Sequence, residues 1–315
     1  MSKKATLWIV LIAIATALCG CPSSDGAGDG NTAAKSGALK VAATTGMVAD
    51  LVRAVGGEHV QVTALMGPGT DPHYYKPTPS NVDALTTADL IFYNGLELEG
   101  RMADTLERLA ETGKATVAVA DAVPVEERRQ PREFQGRYDP HIWFDVTLWR
   151  KALGAVETAL IEKDPTNAKA YLANAEAYRA ELEGLHSEIQ REIATLPEAQ
   201  RVLVTAHDAF GYFGKQYGVE VRGLQGTSTT TEAGAKDVQE LARFIADRKI
   251  KALFVESSVP PATIEAVQKA VQARGWDVKI GGQLFSDAMG AEGTPEGTYI
   301  GMVRHNVRTM VEALK

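Results

Sequence analysis

Three histidines and one aspartate carry the chemistry that this sequence proposes. Asp71-Pro72-His73 recurs as Asp139-Pro140-His141, and Ala206-His207-Asp208 and Phe285-Ser286-Asp287 stand in comparable settings further along. Three imidazoles and a carboxylate are the ligand inventory of a closed tetrahedral metal site. Pro72 and Pro140 fix φ and stiffen each approach, so less entropy is lost when an imidazole is ordered. Asp71 and Asp139 are candidates for orienting the ring or capping the local backbone, because a metal-bound histidine usually donates its second N–H to an oxygen. Asp-Pro also starts plain turns. Two copies, with His207 and Asp287 in matching contexts, favour the site. Tyr74, Trp143 and Phe144 are expected to wall it from water. Glu256 ends a strand and is suited either to stand behind the site or to cap the helix that follows. His59, His186 and His305 are expected to lie elsewhere.

Elements that could position these residues follow from the pattern. Leu39–Thr44, Val60–Leu65, Asp89–Tyr93 and Ala115–Val119 read as strands. Met47–Val55, Asn81–Ala88 and Leu98–Thr112 read as helices between them. Strands alternating with helices imply a parallel α/β sheet. The same grammar restarts with strands at Val202–Thr205, Val219–Val221, Ala252–Val255 and Val278–Ile280. Thr229-Thr230-Thr231-Glu232 reads as a capping box opening a helix to about Arg248. Pro260-Pro261 starts the next helix and Tyr299–Leu314 closes the chain. Each of the four candidate ligands then falls near a strand end, where open α/β sheets bind ligands.

Between the two α/β runs, Pro165 to about Leu196 is rich in Ala, Glu and Leu and contains only Gly184 as a breaker. Leu172, Ala175, Leu182, Leu185 and Ile189 give it an apolar stripe. Such a helix would run ~45 Å, longer than one lobe. The expected architecture is two α/β lobes, 39–163 and 198–315, each with a parallel sheet flanked by helices, joined by one long spine helix, 164–197. The metal site would lie in the cleft between the lobes.

The first residues read differently. Lys3 and Lys4 precede an apolar run from Leu7 to Leu18, too short for a comfortable membrane span. Leu18-Cys19-Gly20-Cys21 resembles a bacterial lipobox, with residues 1–20 as signal peptide and Cys21 as the lipidated residue; Cys19 at its middle is less usual. Residues 21–38 read as a flexible tether. Both cysteines of the chain sit in this leader, so after cleavage the ion must be held by nitrogen and oxygen alone. The formal charge of −7, with no basic run, excludes a nucleic-acid partner.

Asp71–Pro79, Asp139–Asp145, His207–Phe213 and Gly281–Gly290, with Gly223-Leu224-Gln225-Gly226 and Phe254–Ser258, resemble the cluster A-I (cluster 9) solute-binding proteins, TroA/ZnuA-like. These are zinc- and manganese-binding lipoproteins of bacterial ABC importers. The resemblance covers the whole mature chain and implies a two-lobed fold with a linking helix. It also implies that His73, His141, His207 and Asp287 bind the metal directly. Histidine rather than the glutamate of some members at position 207 resembles the zinc-capable branch. The stretch Pro124–Tyr138 lacks the histidines of many dedicated zinc members, which leaves manganese open.

The expectation is thus an extracytoplasmic or periplasmic, membrane-anchored monomer. It captures a divalent cation, Zn2+ with Mn2+ as alternative, and delivers it to an inner-membrane ABC permease. The rivals are a secreted zinc hydrolase and a surface adhesin of the cell adhesion family stabilised by zinc. A hydrolase needs an open coordination position and a base, for which Glu256 is the candidate; the four-ligand shell leaves none, and no enzyme is expected.

Overall fold

The computed structural model describes residues 37–315. The leader, Cys21 and most of the tether lie outside the described residues. Within them, the chain runs β1 Leu39–Ala43, α1 Gly46–Gly56, β2 Val60–Ala64, α2 Pro79–Thr87, β3 Leu90–Tyr93, α3 Ala103–Glu111, β4 Thr116–Ala118, α4 Val146–Lys163 and α5 Ala168–Ala194. It continues through β5 Val202–His207, α6 Gly211–Tyr217, β6 Glu220–Gln225, α7 Ala235–Arg248, β7 Ala252–Glu256, α8 Ala262–Gln272, β8 Lys279–Leu284 and α9 Tyr299–Leu314.

The first four strands form one parallel sheet in the order β2-β1-β3-β4. In the second half, β5 pairs with β6 and β7 with β8, also in parallel, and β5 lies beside β7. Parallel strands need crossovers, and the helices supply them on both sheet faces. α5 is unbroken through Gly184, which is exposed. The buried stripe of α5 is Tyr171, Ala175, Tyr178, Leu182, Leu185, Ile189 and Ile193. Leu172, expected in that stripe, is 50% exposed; Tyr171 takes its place one residue earlier. α5 packs on α1, α4, α6 and α9. One continuous core therefore joins both halves, from Val41 and Phe92 through Trp149 and Leu182 to Phe210, Tyr299 and Met302.

Two elements depart from the sequence reading for a visible reason. α3 begins at Ala103 rather than Leu98, because the buried Glu99 carboxylate accepts from Thr44 Oγ1 (2.8 Å), Asn94 N (2.6 Å) and Gly95 N (3.1 Å). That holds Asn94–Glu99 as a turn, with Gly95, Leu96 and Glu97 at positive φ. The expected capping box at Thr229–Glu232 does not form. α7 starts at Ala235, where Gly234 N donates to Asp237 Oδ2 at 2.8 Å, and Thr229 is engaged elsewhere.

Asp50 on α1 links three helices: its Oδ2 accepts from Tyr178 Oη on α5 (3.2 Å) and from Tyr299 N at the start of α9 (3.0 Å). Asp50→Ala would strand both donors, so a loss of about 1–3 kcal/mol in unfolding free energy is expected. Thermal and denaturant unfolding check it; an unchanged midpoint would show that the helices hold together without this carboxylate.

Candidate metal centre

The four candidate side chains come from four separate loops or strand ends and meet in one place. His73 sits in the loop after β2. Its backbone N–H donates to Asp71 Oδ1 at 2.9 Å, while Asp71 Oδ2 accepts from Thr229 Oγ1 of the second half at 2.7 Å. Gly100, at φ +36°, lies against the His73 carbonyl, where a Cβ would come to 2.5 Å of the oxygen. His141 precedes a short 3-10 turn, Ile142–Phe144. Asp139 Oδ1 accepts from His141 N at 3.0 Å and lies 2.7 Å from its Nδ1. The same Asn94 held by Glu99 donates from Nδ2 to Pro140 O at 3.0 Å, so the turn that shortens α3 also fixes the second Asp-Pro-His.

His207 ends β5. Glu256 at the end of β7 accepts its backbone N–H at 2.9 Å, and its other oxygen lies 2.7 Å from His207 Nδ1, a close polar contact rather than an aligned hydrogen bond. Asp287 follows β8. Asn306 of α9 grips the loop through both amide atoms on Phe285, 2.9 Å to N and 2.7 Å to O, and Trp143 Nε1 donates to Ser286 O at 3.1 Å.

The carboxylate of Asp287 lies at the middle. Its Oδ1 is 3.3 Å from His141 Nε2, and its Oδ2 is 3.2 Å from His207 Nε2 and 3.7 Å from His73 Nε2. One ligand atom from each residue lies within 4.8 Å of all the others. Tetrahedral ligands about 2.0–2.1 Å from a zinc ion stand about 3.3–3.4 Å apart, so the three measured separations suit a small cation. All four residues are 3% exposed or less. The three Nε2 atoms and both Asp287 oxygens have no hydrogen-bond partner. Buried polar atoms are rarely left unpaired, and five in contact are what a ligand shell requires.

Charge follows the same arrangement. Burial lowers His73 to about 3, and the neighbouring His141 and His207 add to the effect, so its ring is neutral. Burial would also lower His141, but the charge and hydrogen bond of Asp139, with Asp287, raise it to about 9. His207 is likewise raised despite burial, by Glu256 and Asp287. Burial would raise Asp287, yet His207 and His141 hold it well below the usual carboxylate range. Protons on His141 and His207 are thus held by the carboxylates of Asp139, Glu256 and Asp287.

Of the expected wall, Trp143 and Phe144 are buried, with Trp143 edge-on to His141 at 5.2 Å between centroids and Phe144 stacked on Phe210. Tyr74 is 44% exposed and closes nothing. Asp139 stands against its ring, as one alternative had it; Asp71 does not, and serves the backbone of its own loop instead. Glu256 stands behind His207. Arg129 was not singled out from the sequence. It bridges Asp139 and Asp208, and no local motif announces a contact 79 residues apart. The remaining histidines lie elsewhere: His59 is edge-on to Tyr171, His186 meets Tyr217 Oη, and His305 meets Gln283 O.

A buried pocket of three imidazoles and one carboxylate, between parallel sheets joined through a long helix, defines a protein built to hold a cation. Residues 41–313 match the family described as "ZnuA: Zinc-uptake complex component A periplasmic". The chain belongs to this family of metal-binding, substrate-binding proteins of ABC transporters and is not an enzyme. It is 48% identical over 282 residues to the zinc-binding protein TroA of Treponema pallidum, covering 90% of this chain and 91% of TroA. It is 47% identical over 277 residues to the manganese-binding lipoprotein MntA of Bacillus subtilis, covering 88% and 90%. The solved structure of the periplasmic zinc-binding TroA of Treponema pallidum superposes with a TM-score of 0.86 at 49% identity, covering 88% of this chain and 99% of that one.

A cation held by these four residues would have to displace the protons on His141 and His207. The proton on His141 contributes stability to the metal-free fold fully below its ordinary 6.5, and that contribution is lost as pH rises through about 9. The gain in thermal midpoint on adding zinc should therefore grow from pH 6.5 to 9, with about two protons released per ion near neutrality. Calorimetry in buffers of different ionisation enthalpy measures the release; none at pH 7 would mean that both rings are already neutral.

Proposed function

We propose that this chain is the extracytoplasmic capture protein of an ABC divalent-metal importer, that His73, His141, His207 and Asp287 hold the ion, and that zinc is the preferred cargo. The observation that carries this reading is the set of five buried ligand-type atoms without hydrogen-bond partners. A tetrahedral shell of three nitrogens and one oxygen suits zinc, which also outranks manganese in intrinsic affinity for such donors.

Manganese is the second reading, favoured by one specific observation. Both oxygens of Asp287 face imidazoles, so the carboxylate can bind through both and raise the coordination number. Relatives at 48% and 47% identity carry zinc and manganese, respectively, in their names. Supply in the cell then contributes to the choice.

Several further parts belong to this reading. Cys21 carries a lipid that tethers the protein to the membrane through residues 21–38, and residues 1–20 are removed. The mature protein is a monomer with lobes at 39–163 and 198–315 and a linking helix at 164–197. No described helix is long and apolar enough to cross a membrane. The continuous core across both halves makes large lobe rotation costly, so loops rather than whole lobes do most of the moving when the ion enters or leaves.

Metal-stripped protein titrated competitively with zinc and manganese should bind one ion, with zinc displacing manganese. His207→Ala and Asp287→Ala should each weaken binding by at least about tenfold. Manganese that holds its place against equimolar zinc would overturn the preference, and wild-type affinity in both variants would overturn the ligand set.

A further inference from the structure

Arg129 stands at the neck of the loop that leads into His141. Asp139 N donates to Arg129 O at 2.8 Å. The Tyr212 hydroxyl accepts from Arg129 N at 2.9 Å and donates to Asp139 O at 3.0 Å. Residues 129 and 139 are thus held side by side, and the guanidinium reaches past them. Its Nη1 is 2.5 Å from Asp139 Oδ2 and its Nη2 is 2.9 Å from Asp208 Oδ2. The other oxygen of Asp139 is the one against His141 Nδ1. Asp208 directly follows His207. One guanidinium therefore grips the carboxylate behind one candidate ligand and the residue beside another, from opposite halves of the chain.

The seat of this arginine is specific. The guanidinium lies over Gly211 at the start of α6, where any Cβ would overlap it. Asp208 is 8% exposed and its remaining oxygen has no hydrogen-bond partner, so Arg129 balances its charge. Only the planar fork of arginine can serve two carboxylates at once in this way.

We propose that Arg129 is a positioning residue that sets how long the ion stays bound. The proposal rests on the four-ligand reading above. The guanidinium fixes Asp139 against His141 and ties it to Asp208, so the His141 loop cannot draw away from His207 without breaking a partly buried, charge-assisted bridge. The bridge acts on release: an ion departs only when a ligand swings away, and the bridge opposes that swing for the His141 loop.

The test uses the full mature chain loaded with zinc, and measures release into excess chelator, stoichiometry and the metal-free thermal midpoint. Arg129→Met removes the fork, and Gly211→Ala keeps the arginine but denies it its seat. Both should still bind one ion and release it about 10- to 100-fold faster. Arg129→Lys, with charge but no fork, should fall between. A purely structural role would lower the metal-free midpoint and leave release unchanged. Release within about twofold of wild type in both Arg129→Met and Gly211→Ala overturns the proposal. If Arg129→Met does not fold, Gly211→Ala carries the test. Failure of the wild type to bind zinc, or full binding by His207→Ala, would instead overturn the four-ligand reading and this inference with it.

Discussion

The interaction on which the rest depends is the approach of three buried imidazoles to one buried carboxylate, with no hydrogen-bond partner for the facing atoms. Asp287 has His73, His141 and His207 within 3.7 Å, and none of the facing atoms finds a hydrogen bond. Like-charged rings repel and buried polar groups carry a desolvation cost. Such a cluster persists only if the surrounding fold holds it. Each of the four side chains has its own holder: Asp71 for the His73 loop, Asp139 and Asn94 for the His141 turn, Glu256 for His207, and Asn306 with Trp143 for the Asp287 loop.

These holders are themselves anchored in a scaffold that resists deformation. The core is shared between the first sheet, α5 and the helices of the second half, so the two sides of the site are parts of one packed body. Near the site, polar crossings stand beside the Phe144–Phe210 stack: Thr229 to Asp71, Arg129 to Asp208, Trp143 to Ser286. Dense apolar packing keeps the distance, and the polar crossings set local position. Division of labour of this kind suits a carrier, which must bind tightly and still let go.

Much of this was legible in the sequence, for identifiable reasons. The repeated Asp-Pro-His, His207 after an apolar strand and Asp287 after another were local signals, and the structure brings their side chains together. Alternating strands and helices gave the parallel α/β class, and the Ala- and Glu-rich run gave α5. What was not legible depended on long-range partners. The true start of α3 was hidden because Glu99 bonds back to Thr44, 55 residues away. The Thr229 capping box failed because its hydroxyl serves Asp71, 158 residues away. Arg129 had no motif at all, and Leu172 yielded the stripe to Tyr171 because one residue of helix phase decides which side chain meets the core.

The central claim is that three imidazoles and one carboxylate of this chain complete the shell of the ion. X-ray absorption spectroscopy of the zinc-loaded mature protein measures that shell directly. The account predicts four or five nitrogen and oxygen neighbours at about 2.0–2.2 Å, three of them with the outer-shell scattering of imidazole. A shell with one imidazole or none, or one filled mainly by water, would contradict it.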